Sequence, residues 1–414
     1  MTHRVAITGM GVVSPIGCGV QRFLESLLAG TSGGGPITIF EPASLATRIA
    51  AQVQESFDDF GLADRKVAFA MEALRQAWEA ATACGTRPGG DAAGQDASLS
   101  LGIGLELFSM PKLVDSRRPG FRPPEAPLER LTFLQTPADL TVHLISARHG
   151  LRQPPLTHVS ACAAGTDAIG AAFRLVASGR RRWMFAGGAD SMINPLGVAG
   201  FCKIAATTTA NGDPKGASRP FDARRDGFLL GEGAAMLVLE RLEDAQARGA
   251  HLHAEVCGYG NSFDAHGISE PHPDGRGAFQ AMTRALAEAG IAPEAIDSVN
   301  AHGTSTPKND RIETAALKRL LGERAHRVPV CATKSMIGHL ISAAGAVEAV
   351  AAAACMEAGW VHPTINLEKP DPACDLDYVA GAARRCEQRY VLSNSFGFGG
   401  QNASLVLRNA REAP

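Results

Sequence analysis

A strand–turn–helix pattern that occurs twice constrains the fold of this chain more than any other feature of its sequence. Residues 156–160 are strand-like, residues 161–165 are all small, and residues 166–178 have helical spacing and stop before a glycine. The same order returns at 298–306, a short apolar run with a turn, followed by helical spacing over 310–321. Alternation of strands and helices predicts an α/β protein with a largely parallel sheet.

Two further segments of the chain also resemble each other. Residues 5–11 read Val-Ala-Ile-Thr-Gly-Met-Gly, and residues 254–260 read Ala-Glu-Val-Cys-Gly-Tyr-Gly. We interpret this likeness as a weak internal duplication, which predicts two βαβ-rich halves, residues 1–250 and residues 251–414, that face one another. In open sheets of this kind, the reacting groups lie at the carboxyl ends of the strands.

Charge and cysteine content exclude several classes of function. The 414 residues carry a formal net charge of −2, so the overall charge does not favour nucleic acid as a partner. Nine cysteines are scattered without a metal-type spacing, which argues against a disulfide framework or a structural zinc site and favours the reducing cytoplasm. The first residues enter a strand without a leader pattern. The longest apolar run, 341–359, contains Glu348 and Glu357 and predicts a buried helix, not a membrane span.

Cys162 is the strongest candidate for a nucleophile. Its neighbours Ala161, Ala163 and Gly165 allow a sharp turn and a close approach of substrate to the sulfur, and a helix follows directly. A cysteine at a helix N-terminus feels the positive end of the helix dipole, which favours the thiolate. The alternative is a small buried apolar side chain, which is the commoner role of a single cysteine.

Two histidines stand in similar surroundings. His302 lies between a strand and a helix, and His339 follows a glycine and precedes a run of small residues. Either histidine alone could be a capping residue, but together with a cysteine they indicate a site that manages a thiol and stabilises a charged oxygen. Lys334 is charged within a segment that is otherwise interior in character, so it needs a partner, for which Glu313 is the candidate. Two solvated surface charges are the alternative.

A glycine-rich segment near the C-terminus completes the set. Residues 394–402 alternate Phe396 and Phe398 with glycines, which free backbone N–H groups to point into a site and allow the loop to move. The segment lacks the spacing of a dinucleotide-binding loop, and the chain has no Walker lysine. We therefore expect no nucleotide cofactor.

Together these segments resemble the β-ketoacyl-acyl carrier protein synthases, and most closely the elongating type II enzymes with one cysteine and two histidines. The matching motifs are Ser160-Ala-Cys-Ala-Ala-Gly165, Asn300-Ala-His-Gly-Thr-Ser-Thr-Pro307, Lys334-Ser-Met-Ile-Gly-His339 and Asn394-Ser-Phe-Gly-Phe-Gly-Gly400. Further matching stretches extend the resemblance over nearly the whole chain. A cysteine at 162, where a chain-length-factor subunit has glutamine, argues against that non-catalytic class.

The resemblance implies a thiolase-type fold with five layers, α-β-α-β-α, usually as a homodimer. It also implies that Cys162 takes an acyl chain from the phosphopantetheine arm of an acyl carrier protein, while the backbone N–H groups of Cys162 and Phe396 hold the thioester oxygen. His302 and His339 then bind the malonyl thioester as it loses carbon dioxide, and the carbanion equivalent attacks the acyl-cysteine. Neither a metal nor a redox cofactor is expected.

Further family roles carry over by position. Lys334 and Glu313 match the family's buried charged pair, which orients the histidines, and Phe396 matches its gating phenylalanine. The positions that match substrate-contacting residues are Thr304 and Thr306 on the pantetheine arm, Phe228 on the malonyl side, and Ser269 and Phe398.

The carrier protein is acidic, so the resemblance also implies a basic entrance. Arg65 and Lys66 match a family docking position, and the arginines of 180–182 and 224–225 are further candidates; solvated surface charge is the alternative for each. Residues 104–111 and 117–130 depart from the family pattern, so the sequence favours fatty-acid elongation and a polyketide, aryl polyene or signal-lipid pathway about equally. A specialised acyltransferase on the same scaffold and a non-catalytic subunit of a heterodimer remain the alternatives.

Overall fold

The computed structural model describes residues 3–58, 64–90, 97–104, 119–120, 122 and 140–411. Its helices are α1 (Val20–Leu28), α2 (Arg65–Thr82), α3 (Leu140–Arg148), α4 (Ala164–Ala177), α5 (Pro195–Lys203), α6 (Leu242–Ala247), α7 (Arg276–Ala289), α8 (Pro307–Leu321), α9 (Lys334–Ile337) and α10 (Ala344–Ala358). Its strands are β1 (Val5–Ser14), β2 (Gly17–Cys18), β3 (Gly34–Pro36), β4 (Ile49–Ala51), β5 (Ser98–Ile103), β6 (Leu156–His158), β7 (Trp183–Asp190), β8 (Gly233–Arg241), β9 (Ala254–Phe263), β10 (Ser298–Asn300), β11 (Val330–Cys331), β12 (Trp360–Val361), β13 (Arg384–Arg385), β14 (Tyr390–Gly397) and β15 (Gln401–Asn409).

Eleven of these strands form one continuous sheet; β2 pairs only with β1, and the order of the other ten repeats about the middle. The order is β6-β5-β7-β8-β1 on one side and, read outwards from the middle, β9-β15-β14-β10-β11 on the other. In the first set β5 pairs in parallel with β6 and β7, and in the second set β10 pairs in parallel with β11 and β14. The remaining neighbours are antiparallel. The two segments that resemble each other in sequence begin β1 and β9, and these strands join the two sets, with Val5 opposite Val256.

The predicted five layers are present, and two central helices form the middle one. α4 and α10 pack against each other and against strands of both sets, with α2 and α3 outside the first set and α7 and α8 outside the second. Gly165 permits the close helix packing, since a Cβ there would lie 2.9 Å from the Ala346 nitrogen. α10 is buried on all sides through Met356, as its alanine-rich sequence predicts.

The same central helix is the one described segment that is long and apolar enough to cross a membrane. The segment Ile341–Ala358 meets that test, but 89% of it is buried inside the protein. Its length and composition are therefore accounted for by its place in the core.

The internal repeat pairs different turns from those that the sequence suggested. Cys162 lies in a single 3-10 turn, Ala161–Ala163, that leads into α4, and the equivalent turn before α10 is Ile341–Ala343. Each turn opens with a non-glycine residue at positive φ, 49° at Ala161 and 45° at Ile341. Ser342 is therefore the counterpart of Cys162. The predicted pairing of the turns at 162 and 302 is wrong, because His302 follows β10, whose counterpart is β5.

Most predicted elements occur with small shifts of their ends. The helix expected at 310–321 begins earlier, at Pro307, because a proline is tolerated in the first turn of a helix. The divergent segment at 104–130 lies almost entirely outside the described residues, as does most of the stretch up to 139.

Candidate active site

The Cys162 turn places a sulfur at the end of a strand and the start of a central helix. Cys162 is 3% exposed. The glycine-rich loop comes so close that a Cβ on Gly397 would lie 3.0 Å from the Cys162 nitrogen, so only glycine fits there without a shift. The backbone N–H groups of Phe398 and of Cys162 itself lie near enough to the thiol to lower its pKa. The backbone amide expected beside the sulfur was that of Phe396; the structure brings Phe398 there instead.

His302 is held by an acidic side chain and a lysine. The backbone N–H groups of His302 and Gly303 donate to the two carboxylate oxygens of Glu313, at 2.8 and 2.9 Å. The Lys334 ammonium lies 3.2 Å from His302 Nδ1. An ammonium can only donate, so Nδ1 accepts and the ring proton resides on Nε2.

His339 reaches the same protonation pattern by another route. The Ile341 backbone N–H donates to His339 Nδ1 over 3.1 Å, which again leaves the ring proton on Nε2. The two imidazoles lie 5.3 Å apart, centre to centre, and Phe228 packs edge-on against His339 at 5.2 Å. Both histidines are at most 2% exposed.

Lys334 is buried, as expected, but its carboxylate partner is not the predicted one. Its ammonium lies 2.5 Å from Glu348 Oε1, on α10, whereas Glu313 accepts only backbone and amide donors. The predicted Lys334–Glu313 pair is therefore wrong. Glu348 was noted in the sequence as a charge within an apolar run. Small apolar residues on both sides of this glutamate, at 343–347 and 349–354, were the signal that the charge needs a buried cation.

Burial determines the charge state of the site. It raises the pKa of the Cys162 thiol to about 11, more than the Phe398 amide and the Lys334 charge lower it. Burial also holds the pKa values of both histidines well below their usual range, and the nearby Lys334 charge adds to this effect. The resting site thus has a neutral thiol and two neutral imidazoles. The helix N-terminus favours a thiolate in principle, but desolvation is the largest influence on the pKa of this thiol and favours the neutral form.

One cavity of about 360 Å³ joins these groups to the surface. One nitrogen from each histidine and Cys162 Sγ all lie within 4.8 Å of one another. The cavity is also lined by all the other predicted contact residues, which are Thr304, Thr306, Phe228, Ser269, Phe396 and Phe398. Thr304 and Thr306 face each other through their hydroxyls at 2.9 Å. Phe396 is 8% exposed and packs against His302, whereas Phe398 is only half-buried.

The predicted carrier-docking residues are occupied by internal contacts. Lys66 is 1% exposed and its ammonium lies 3.0 Å from Asp64, so it cannot meet a partner's surface; this prediction is wrong. Arg65 is more exposed, but its guanidinium is tied to Glu232 and to the Val53 carbonyl. These contacts hold the start of α2.

Comparisons with known proteins agree over nearly the whole chain. The family model described as "Beta-ketoacyl synthase, N-terminal domain" matches residues 2–245, and "Beta-ketoacyl synthase, C-terminal domain" matches residues 253–368. The chain is 41% identical over 413 residues to a 3-oxoacyl-[acyl-carrier-protein] synthase 2 of Coxiella burnetii, covering 98% of each chain. It is 40% identical to a polyketide beta-ketoacyl synthase of Streptomyces halstedii, again over 98% of each.

Solved structures give the same picture. A ketosynthase from a type II polyketide complex with its acyl carrier protein is 30% identical with a TM-score of 0.88, covering 99% of this chain and 100% of that one. A beta-ketoacyl synthase from Burkholderia phymatum is 35% identical, also with a TM-score of 0.88 and the same coverage. The ketosynthase/chain length factor for ishigamide is 33% identical with a TM-score of 0.85. The fold is the expected thiolase-type fold.

Proposed function

The chain belongs to the β-ketoacyl synthase family, and we propose from the geometry of its pocket which side chains carry the reaction. The enzyme condenses a cysteine-bound acyl chain with malonyl-acyl carrier protein, with loss of carbon dioxide, to give a β-ketoacyl-carrier thioester. One observation supports the assignment of residues. The Cys162 sulfur and one nitrogen each of His302 and His339 lie within 4.8 Å of one another in one cavity.

In the first step, Cys162 attacks the thioester of the acyl carrier. The thioester oxygen becomes negatively charged and is held by the N–H groups of Cys162 and Phe398, which already converge on the sulfur. The carbon–sulfur bond to pantetheine breaks, and the thiol proton of Cys162 ends on the departing pantetheine sulfur. Because the resting thiol is neutral, this transfer needs no counter-charge in the pocket.

In the second step, the malonyl thioester oxygen is held by His302 and His339. Both rings carry their proton on Nε2, so both donate a hydrogen bond as that oxygen gains charge. The carbon–carbon bond to the carboxylate breaks and releases carbon dioxide. The electron pair left on the α-carbon attacks the acyl-Cys162 carbonyl, and the cysteine sulfur leaves as a thiolate that takes one proton from water.

Lys334 keeps His302 in the donating form. Its ammonium occupies Nδ1 and disfavours protonation of the ring, while Glu348 balances the buried charge. Glu313 holds the backbone of the His302 turn. These three residues act through His302 and are positioning residues.

The remaining pocket residues take roles according to their place. Thr304 and Thr306 would bind the amides of the pantetheine arm, and Phe228 lines the malonyl side next to His339. Ser269 lies exposed on the rim of the cavity. We assign the mobile gate to Phe398, not Phe396, because Phe398 is half-buried at the cavity wall and its amide contacts the thiol.

The carrier would dock at the mouth of this cavity. Ile204 lines the mouth and is 51% exposed, next to the exposed Lys203 at the end of α5. Lys308 also lines the cavity and contacts Glu270. Two lysines beside an exposed apolar residue suit an acidic carrier with an apolar helix. Exchange of Lys203 for glutamate should raise the KM for the carrier and leave kcat unchanged.

We further propose that the chain consists of two duplicated halves, residues 1–250 and 251–414. Two copies of the chain would form a homodimer in the cytoplasm. β6 ends the sheet with β5 as its sole partner among the described strands, and Val159 beyond it is 63% exposed. An unpaired edge with an exposed apolar residue favours pairing with a second copy. Sedimentation should give twice the mass of one chain, and a related partner subunit would give a heterodimer instead.

The reaction needs no metal or redox cofactor, since every bond change above is balanced by the substrates and one proton from water. The three groups of the pocket have a spacing that a metal ion could also use. Dialysis against a chelator should therefore leave condensation unchanged, and loss of activity that zinc restores would contradict this point.

The deciding experiment uses a panel of acyl carriers followed by malonyl carrier. Intact-mass analysis should show the acyl group on wild-type protein and not on Cys162→Ala, and only the wild type should release carbon dioxide with a β-ketoacyl product. Acylation without product from malonyl carrier would favour an acyltransferase, and no acylation with any carrier would favour a non-catalytic subunit. The chain length that acylates fastest separates the fatty-acid from the polyketide assignment.

A further inference from the structure

We propose that His251, His253 and Glu357 form a surface binding site for a divalent transition-metal ion of the zinc type. None of the three lines the catalytic cavity. One donor atom from each lies within 4.8 Å of the other two. Among the described residues, the only other set of three histidine, cysteine or carboxylate side chains with this spacing is Cys162 with His302 and His339.

The sequence His251-Leu-His253 places two imidazoles on one side of the chain. Leu252 packs against the small apolar cluster of Ala6, Leu242 and Ala245. The His253 backbone N–H donates to the Ile7 carbonyl at 3.0 Å. With the backbone and the Leu252 side chain fixed in this way, both imidazole rings lie on the side of the chain away from Leu252. Their centres are 4.5 Å apart.

Glu357 supplies the third donor from another part of the chain. Oε1 lies 2.8 Å from His251 Nε2, and Oε2 lies 2.9 Å from His253 Nδ1. The glutamate occupies the last turn of α10, which contains no basic residue of its own. A carboxylate at the negative end of a helix is unfavourable unless a cation balances it, and a bound metal ion would do so.

The donor set favours one class of ion. Two imidazoles and one carboxylate are typical zinc ligands, and water completes the coordination at an open site. His251 has 58% of its side chain exposed, so the open positions face solvent. Magnesium and calcium prefer sets of oxygen ligands, of which this site offers one side chain. Arg411 lies 3.8 Å from Glu357 and opposes a cation, but 69% of its side chain is exposed and it can turn away.

Metal binding here would fasten two segments that are distant in the chain. The histidines lie in the connection between α6 and β9, and Glu357 ends the helix that carries Glu348, the partner of Lys334. The site would therefore stabilise the folded chain without contacting substrate.

The test is a zinc titration by calorimetry on the Cys162→Ala variant, in which the catalytic pocket has lost its thiol. We expect one equivalent of zinc to bind, and His251→Ala and His253→Ala in the same background to weaken it at least about 10-fold. Glu357→Gln should also weaken binding, Arg411→Ala should strengthen it, and magnesium should not compete. Cobalt should bind without the thiolate charge-transfer absorption that a cysteine ligand would give.

His266→Ala is the matched control. His266 faces His272 with ring centres 4.9 Å apart, near Asp274, yet these residues do not form a three-donor set. This variant should bind zinc as the parent does. Circular dichroism and the condensation rate of His251→Ala in the otherwise wild-type chain should match the wild type, which excludes misfolding. No binding to the Cys162→Ala parent, or unchanged binding after loss of either histidine, would show that the three residues form an ion pair only.

Discussion

Lys334 joins His302 to Glu348: its ammonium lies 3.2 Å from the His302 Nδ1 and 2.5 Å from the Glu348 carboxylate, with all three side chains buried. This contact fixes which nitrogen of His302 carries the proton, and it brings a residue of the central helix α10 into the support of the active site. The catalytic hydrogen bond and the packing of the core are thereby coupled.

Removal of the ammonium should impair decarboxylation more than acylation. In Lys334→Met, His302 loses the donor at Nδ1 and can place its proton on either nitrogen, so we expect carbon dioxide release to fall by about 10²-fold or more. Acyl transfer to Cys162 should fall by less than about 10-fold, since it depends on backbone N–H groups. Rapid-quench measurement of the two steps checks this. Equal losses in both steps would mean that Lys334 serves the fold alone.

The partner of Lys334 can be established by a double-mutant cycle. Lys334→Met and Glu348→Gln share an interaction, so their combined effect on the free energy of unfolding should depart from the sum by more than about 1 kcal/mol. The same cycle with Glu313→Gln should give a smaller coupling, because Glu313 holds backbone N–H groups instead. Denaturant unfolding provides the free energies. A larger coupling to Glu313 would restore the pairing that the sequence suggested.

Alkylation should reveal the neutral thiol of Cys162. Burial raises its pKa to about 11, so its rate with iodoacetamide should continue to rise up to pH 10 without a plateau. Cys84 is an internal comparison: it is exposed, and hydrogen bonds from Thr86 lower its pKa, so it should react first and at lower pH. Peptide mass analysis distinguishes the two sites. A plateau for Cys162 below pH 8 would mean that the site holds a thiolate at rest.

The buried histidines should make the fold sensitive to acid. Their pKa values are lowered by burial, so below about pH 6.5 the unfolded chain takes up protons that the folded chain refuses, and stability is lost as the pH falls. Each histidine contributes a slope of about 1.4 kcal/mol per pH unit there. Buried carboxylates with raised pKa values, such as Glu313, act in the opposite sense.

Comparison of the wild type with a His302 variant isolates the contribution of this histidine to the pH dependence of the unfolding free energy. His302→Asn removes one titrating group, so its unfolding free energy between pH 6.5 and 5 should fall less steeply than that of the wild type. Urea unfolding at several pH values measures both slopes. Identical slopes would show that His302 is not held neutral in the fold.

Gly397→Ala should disturb the approach of the loop to the nucleophile. The added Cβ would lie 3.0 Å from the Cys162 nitrogen, so the loop has to move and take the Phe398 amide with it. We expect acylation of Cys162 to slow by about 10²-fold, the effect of losing one oxyanion donor. Gly200→Ala on α5 is the control, since a Cβ there meets open space. Wild-type acylation in Gly397→Ala would remove this amide from the mechanism.

The sequence was informative where a local motif carries the chemistry. Cys162, His302 and His339 stand in short turns whose small residues and glycines restrict the backbone, so type and spacing were sufficient to identify them. The partner of Lys334 could not be read in this way, because both Glu313 and Glu348 occupy helices at plausible distances along the chain, and tertiary packing alone decides between them.

Two other errors share a physical cause. Lys66 was expected at a docking surface because Arg65 and Lys66 match a family docking position, but Asp64 pairs with it inside the protein. The Cys162 thiolate was expected from a helix N-terminus, but burial of the sulfur raises the pKa of the thiol and favours the neutral form. Burial of a single side chain depends on segments far away in sequence, and in both cases it reverses the local expectation.

The equivalence of Cys162 and Ser342 has a consequence for how this protein can be divided. The Ser342 hydroxyl donates hydrogen bonds to Asp190 and to the Ala189 carbonyl. The second repeat therefore supplies imidazoles and no nucleophile of its own. The sulfur and the two rings come from different repeats, whose seam consists of the β1–β9 pairing through three residue pairs and the packing of α4 against α10. The two repeats, produced as separate fragments, should each lack condensation activity. The activity should return only when the fragments reassemble along that seam.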